Sequence, residues 1–447
     1  MRLLRYNSLT VVLTLLIYSR RWESMDADIL LMVFYMCMIG TAIGTLSGLV
    51  PGIHVNTLAI ILLTFSGQLL GAVAMFTGPD AAPAMLACCV VSAAVVHSAV
   101  SFVPSAFIGL PDTESVLSVL PAHRMVLEGE GMIAVRCAAI GSLTGAIASL
   151  MLAVPLYLLL EAGLGDYLNS ITIGVLIIVL AMMVMNEKGG LRIVATAIIA
   201  ASGAMGLITM LNLVPMECII GPEPETMFPL LTGLFGIPSL IWHSDAEVPP
   251  QQDGETYPVS PVPGIKGVLT GSLTGWFPGV TSTAGAMVAE RLFGGNGPRE
   301  FISMVASIGT ASTVFTFITL SLTGKERSGT MSVIAELLTG QDLSLGSDAF
   351  ACILAAMAMA AVLAYAITIR SGKIVSSLVR MIDMSVLSRA VLVLMIVMTV
   401  LFCGYWGLVM LLACTLIGMA PLLLGTRRIH LTGCLIIPVL LFKLGIF

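Results

Sequence analysis

The chain has 447 residues, of which 58% are hydrophobic and 10% charged, with a mean hydropathy of +1.04. A soluble domain carries about 25% charged residues, so a single water-soluble core is excluded and an all-α polytopic membrane protein is expected. The net charge of −5 offers no basic surface for nucleic acid, and the nine cysteines contain no Cys-x-x-Cys pair and no zinc or haem spacing.

The chain opens with MRLLRYNSLTVVLTLLIYSRRWES. Its apolar stretch, Leu9 to Tyr18, is too short to cross a bilayer, and Arg20-Arg21-Trp22 follows it where a signal peptide would have small residues. Residues 1–28 therefore read as an uncleaved interfacial or short helix. Arg2, Arg5, Arg20 and Arg21 precede the first long apolar run and place this end in the cytoplasm of a multi-pass cell-membrane protein. Apolar runs then recur at 29–50, 55–77, 82–108, 132–160, 168–186, 191–213 and 226–242. After a break they continue at 264–284, 301–323, 349–370, 386–404, 405–424 and 431–447. Lipid forces backbone groups to pair within each segment, so all are expected to be helical, with roughly 11 to 14 membrane segments, some re-entrant or broken.

The break, residues 243–263, is a polar linker. His243 to Gly264 holds five prolines and four acidic residues. It divides the chain into a first membrane repeat, 29–242, and a second, 264–447. The halves carry matching marks in the same order. GTLSGLVPGI at 44–53 matches GSLTGWFPGV at 271–280, and LTGLFGIP at 231–238 matches LTGCLIIP at 431–438. A weaker match pairs VLSVL at 116–120 with TMSVI at 330–334. Internal repeats with Gly/Pro-interrupted apolar segments at corresponding positions are the sequence signature of secondary transporters. The fold expected is two homologous halves, taken as an inverted repeat, each with a Pro-Gly-broken re-entrant or discontinuous helix hairpin.

Proline removes a backbone donor and glycine relaxes the steric limit, so a helix tends to end at each Pro-Gly. At membrane depth the freed groups must face protein or a water-filled cavity. The N–H end suits an anion, and side-chain donors follow each break. The candidate substrate-binding residues are therefore Gly48, Pro51, Gly52, His54, Asn56 and Thr57 in the first copy. In the second they are Gly275, Pro278, Gly279, Thr281, Ser282 and Thr283. The competing reading is two kinked helices packed through glycine, with hydroxyls bonded back to their own helices.

A second polar island, Asp112, Thr113 and Glu114, either caps a helix or serves a coupling ion. Its counterpart carries Lys325 and Arg327, which would face an acidic loop or an anion if the two loops meet. His97 reads as a core group or a proton relay. No Walker loop, HExxH or serine nucleophile elbow is visible, so the chain is not expected to be an enzyme.

GTLSGLVPGIHVNT, FIGLPDTESVLSVLPAHR, LLTGLFGIPSL and GSLTGWFPGVTSTAGAMVAERLF resemble the tripartite tricarboxylate transporter permease family, the large TctA-type subunit, and look most similar to its archaeal branch. The resemblance covers roughly residues 30 to 447. It implies a multi-span permease that takes up carboxylates on an ion gradient, Na⁺ or H⁺, with no other cofactor. It also implies a small membrane subunit and an extracytoplasmic binding protein as partners, and maps the family's two loops onto Pro51-Gly52 and Pro278-Gly279. Bacterial members carry an acidic, Asn-rich stretch after the second loop; here the region reads MVASIGTASTVFTFITLSL. The Pro-Gly-hydroxyl loops also look like those of a polyprenyl-phosphate transporter family, so a lipid-carrier translocase is the alternative function.

Overall fold

The computed structural model describes residues 27–50, 59, 62–109, 116–219, 224–242, 249–252, 257–277, 280, 282–293, 297–379 and 384–446. These residues form helices and connecting turns, with no strand among them. The first half contains α1 (Ala27–Leu49), α2 (Ser66–Thr77), α3 (Ala82–Val100), α4 (Phe102–Ile108), α5 (Val116–Leu127), α6 (Gly131–Leu159), α7 (Gly165–Met185), α8 (Leu191–Met210) and α9 (Met227–Trp242). The second contains α10 (Val262–Trp276), α11 (Ser282–Phe293), α12 (Pro298–Thr323), α13 (Gly329–Leu337), α14 (Asp348–Val379), α15 (Met384–Leu424) and α16 (Gly433–Lys443).

Among the described residues, seven helical stretches are long and apolar enough to cross a membrane. Two are bent at glycines with a positive φ. Gly163, at φ 115°, separates α6 from α7, and Gly404, at φ 61°, bends α15. A side chain at Gly404 would also meet the Glu217 carbonyl oxygen at 2.7 Å, so both conformation and space require glycine. α9 is broken by a wide turn over Thr232–Gly236, where the backbone pairing slips by one residue.

Burial locates the core. The span Ala82–Ile108 and α12 are the most buried of the long helices, whereas α7 and the two arms of α15 expose large apolar side chains such as Ile178, Val393 and Leu416. Those outer side chains are suited to lipid. α1 packs along α3 and against α14; α10 packs along α12 and against α6. α3 lies on α14, and α12 on α6, so each inner helix is covered by both halves of the chain. A second layer pairs α8 with α16 and the second arm of α15 with the broken α9.

Small residues make these crossings close, as in membrane bundles where apolar burial alone gives helices no preference for one another over lipid. Cβ atoms built on Gly40 and Gly44 would lie 2.2 and 2.4 Å from the Cys89 and Ala93 carbonyl oxygens of α3. On α10, Gly267 and Gly271 meet Met304 and Ala311 of α12 in the same way. The LTG marks have a parallel role: Gly233 abuts Leu411 and Cys414 of α15, and Gly433 abuts Ile199 and Ser202 of α8.

The described linker residues 249–252 are docked over the first half. Gln251 accepts from the Gly131 amide at 2.7 Å through Oε1 and donates to the Val126 carbonyl at 2.9 Å through Nε2, which ties the strap across the α5–α6 corner. Arg299 then donates through Nη2 to both carboxylate oxygens of Glu130 and through Nη1 to the Tyr257 hydroxyl, with its guanidinium 4.3 Å from the Tyr257 ring centre.

Candidate functional site

The helices on either side of the second Pro-Gly pair, α10 and α11, form a hairpin. α10 has 15 residues and α11 has 12, and neither reaches the ~20 residues of a full crossing. The backbone turns extended at Phe277, and the Val280 amide donates to the Phe277 carbonyl at 3.3 Å. α11 then folds back on α10, where a side chain on Gly285 would meet Thr274 Cγ2 at 2.7 Å. The last carbonyls of α10 lose their partners in the following turn. One of them, Gly275 C=O, accepts instead from Thr319 Oγ1 of α12 at 3.1 Å, and Thr319 also donates back to Phe315 C=O at 2.9 Å. Ser282, at the start of α11, is buried. Trp276 is 3% exposed, its indole Nε1–H has no acceptor among the described residues, and its ring lies beside Gly165.

At the first break, α1 ends at Leu49, and Pro51, Gly52, His54, Asn56 and Thr57 lie outside the described residues. The approach to it is described. Ser47 Oγ donates to Gly44 C=O at 3.2 Å and pairs with His97 Nδ1 of α3 at 2.9 Å. Ser47 and Thr274 occupy matching positions in the two decapeptides, and Thr274 Oγ1 likewise bonds back to Gly271 C=O, at 2.9 Å.

The expected residues divide as follows. Gly48 and Gly275 sit at helix crossings, where added Cβ atoms would lie 3.1 Å from the His97 carbonyl oxygen and 2.6 Å from Phe315 Cβ. Pro278, Gly279, Thr281 and the side chain of Thr283 lie outside the description, as do Asp112, Thr113 and Glu114. Lys325 is exposed; Arg327 is half-buried, and burial pulls its pKa below the usual guanidinium value. Both lie near Lys443 at the end of α16, whose pKa is lowered by burial and then by these two cations. Their loop caps α13 through Ser328, which accepts from the Met331 amide at 3.3 Å.

Sequence reasoning passed over Ser47 and Trp276, although each is within four residues of a Pro-Gly pair. It also passed over a polar junction where the two LTG marks meet. There His430 Nε2 lies 3.0 Å from Glu187 Oε1, which also accepts from the Arg427 amide at 3.1 Å. Arg428 donates to Ser239 Oγ and to Phe235 C=O in the wide turn of α9. Burial pushes the Glu187 carboxyl up, but the bonds from His430 and the Arg427 amide outweigh it and hold the group below its usual value. Burial also pushes His430 down, with Glu187 partly opposing.

The family model described as "Tripartite tricarboxylate transporter TctA family" matches residues 34–433. An uncharacterized protein of Methanocaldococcus jannaschii is 26% identical over 301 residues, 66% of this chain and 71% of that protein. No solved structure matches. With seven apolar helices long enough to span and a family match over nearly its whole length, this multi-pass membrane protein belongs to the tripartite tricarboxylate transporter TctA family, the large permease subunit of three-component transport systems.

Proposed function

We propose that the chain is a secondary active permease for an organic anion, a carboxylate, driven by a Na⁺ or H⁺ gradient and binding its substrate between the two Pro-Gly corners. The observation that carries this reading is the α10–α11 hairpin. It ends an apolar helix inside the bundle beside a buried Ser282 and an unpaired Trp276 indole N–H. Broken backbone at such a place is tolerated only where protein or a water-filled cavity takes its polar groups, and secondary transporters use half-helix ends in this way. The first corner supplies His97 and Ser47 against the end of α1. The matched packing of α1 on α3 and of α10 on α12 supports reading the two halves as copies of one unit.

On this reading the N–H groups after each Pro-Gly receive the substrate's carboxylate, with Thr281 and Ser282 adding hydroxyl donors. A small membrane subunit and a binding protein would complete the system, as in the family. The test is uptake of labelled citrate and simpler carboxylates into proteoliposomes under imposed Na⁺ and proton gradients. A Gly52→Leu/Gly279→Leu double variant is the blank, because its new side chains would fill the places where backbone meets substrate. Gradient-dependent uptake that is abolished in the double variant is expected. Uptake unchanged in that variant would remove the Pro-Gly corners from the site.

A further inference from the structure

Arg428 opens the turn that leads into α16 and is 4% exposed. Its two hydrogen bonds go to uncharged oxygens, Ser239 Oγ and Phe235 C=O. Its Nε–H is buried with no acceptor. Among the described residues no carboxylate pairs with it. Glu187, between α7 and α8, is held instead by the Arg427 amide and by His430, two residues further along the turn from Arg428. Burial alone lowers the Arg428 pKa to about 10, so the group is still a full cation at neutral pH. A buried charge is normally paired, because hydrogen bonds to neutral oxygens do not restore what water gave it. Beside it, His430 is fully buried with its Nδ1 also unpartnered.

The place is as telling as the charge. Arg428 bridges the two LTG segments: it stands three residues before the second and grips the first at its wide turn. Both segments are closely packed, Gly233 against α15 and Gly433 against α8.

We propose that Arg428 anchors an anion site at this junction, distinct from the Pro-Gly corners, that takes one carboxylate group of an organic anion. The edge of the guanidinium that carries Nε–H forms the two-pronged donor that matches a carboxylate. The class of ligand rests on the permease reading; the existence of the site does not. Access requires the α8–α16 and α9–α15 layers to part, as a transport cycle would make them do.

The test is a thermal-shift titration of the full-length protein in detergent at constant ionic strength, with sodium acetate replacing sodium chloride. The wild type is expected to show a saturable rise in midpoint with acetate. Arg428→Gln, which removes the charge and the fork but keeps a polar amide, should need at least tenfold more acetate. Arg428→Lys, which keeps the charge but loses the fork, should fall between. Gly279→Leu, which closes the Pro-Gly corner to acetate, should still keep a saturable shift, and adding Arg428→Gln to it should remove that shift, which separates this site from the Pro-Gly corners. The proposal is overturned if the wild type shows no saturable shift or if Arg428→Gln titrates normally. A shift lost in Gly279→Leu but kept in Arg428→Gln would also overturn it and place the binding at the hairpin. An equal saturable shift when sodium bromide replaces the sodium chloride would refute the carboxylate assignment.

Discussion

Replacing Gly44 by alanine tests whether the repeated decapeptide is written for helix contact. An added Cβ would lie 2.4 Å from the Ala93 carbonyl oxygen and 3.0 Å from Ala93 Cα. Both are backbone atoms of α3 and cannot rotate away. To reach ordinary contact at 3.4 Å, α1 must retreat by about 1 Å along the whole crossing, and a gap of that size forfeits a quarter to a half of each dispersion contact. The cost is about 1–3 kcal/mol for overpacking, against a gain of up to about 1 kcal/mol from the better helix propensity of alanine. The control is Gly71 in α2, which is exposed and has no atom within 4 Å of its would-be Cβ. Gly71→Ala should therefore be neutral or stabilising. The assay is the thermal midpoint of both variants in one detergent, with Gly271→Ala as the matched position in the second half. If Gly44→Ala and Gly71→Ala melt together, the close crossing of α1 and α3 is wrong.

Thr319→Val removes the donor to Gly275 C=O while keeping the side-chain shape. It should cost about 1–3 kcal/mol, seen as a lower midpoint, and Thr319→Ser should recover most of it. Trp276→Phe removes an N–H that has no protein acceptor, so its effect should fall on substrate affinity, about tenfold for one lost hydrogen bond to a carboxylate; unchanged affinity would leave Trp276 a packing residue. Thermal stability should decline on acidification. The folded state holds His430 below its ordinary value near 6.5 and Glu187 below its value near 4.5, so the unfolded chain takes up protons first. The contribution is complete above about pH 6.5 and is lost as the pH falls through the two folded values. A midpoint that rises between pH 7 and pH 5 would contradict the burial of this pair.

The apolar runs were legible as helices because lipid leaves them no other way to pair their backbones. The end of α10 was legible because Pro278-Gly279 stops a helix whatever surrounds it. The meaning of the glycines was not. Gly44 and Gly48, like Gly271 and Gly275, recur every four residues beside a Pro-Gly, a spacing that serves helix contact and ligand approach equally well. Only the neighbour decides, and the neighbour is α3 or α12, some 45 residues away in sequence. The same limit hid Arg428. In GTRRIHLTG it looks like one of two cations at the end of an apolar span, the usual place for a charge that reaches water. Its burial depends on Phe235 and Ser239, nearly 200 residues earlier.

The shared coverage of α3 bears on how the protein is made. α3 meets α1 as soon as it enters the membrane, but its other neighbour, α14, begins some 240 residues after Ile108. At a synthesis rate of about 5–20 residues per second, that interval is about 10 to 50 s. Through it, a helix whose mature surroundings are almost all protein has lipid or an insertion chaperone on one flank. The order in which the halves emerge thus gives the first half a temporary surface that the finished permease never presents.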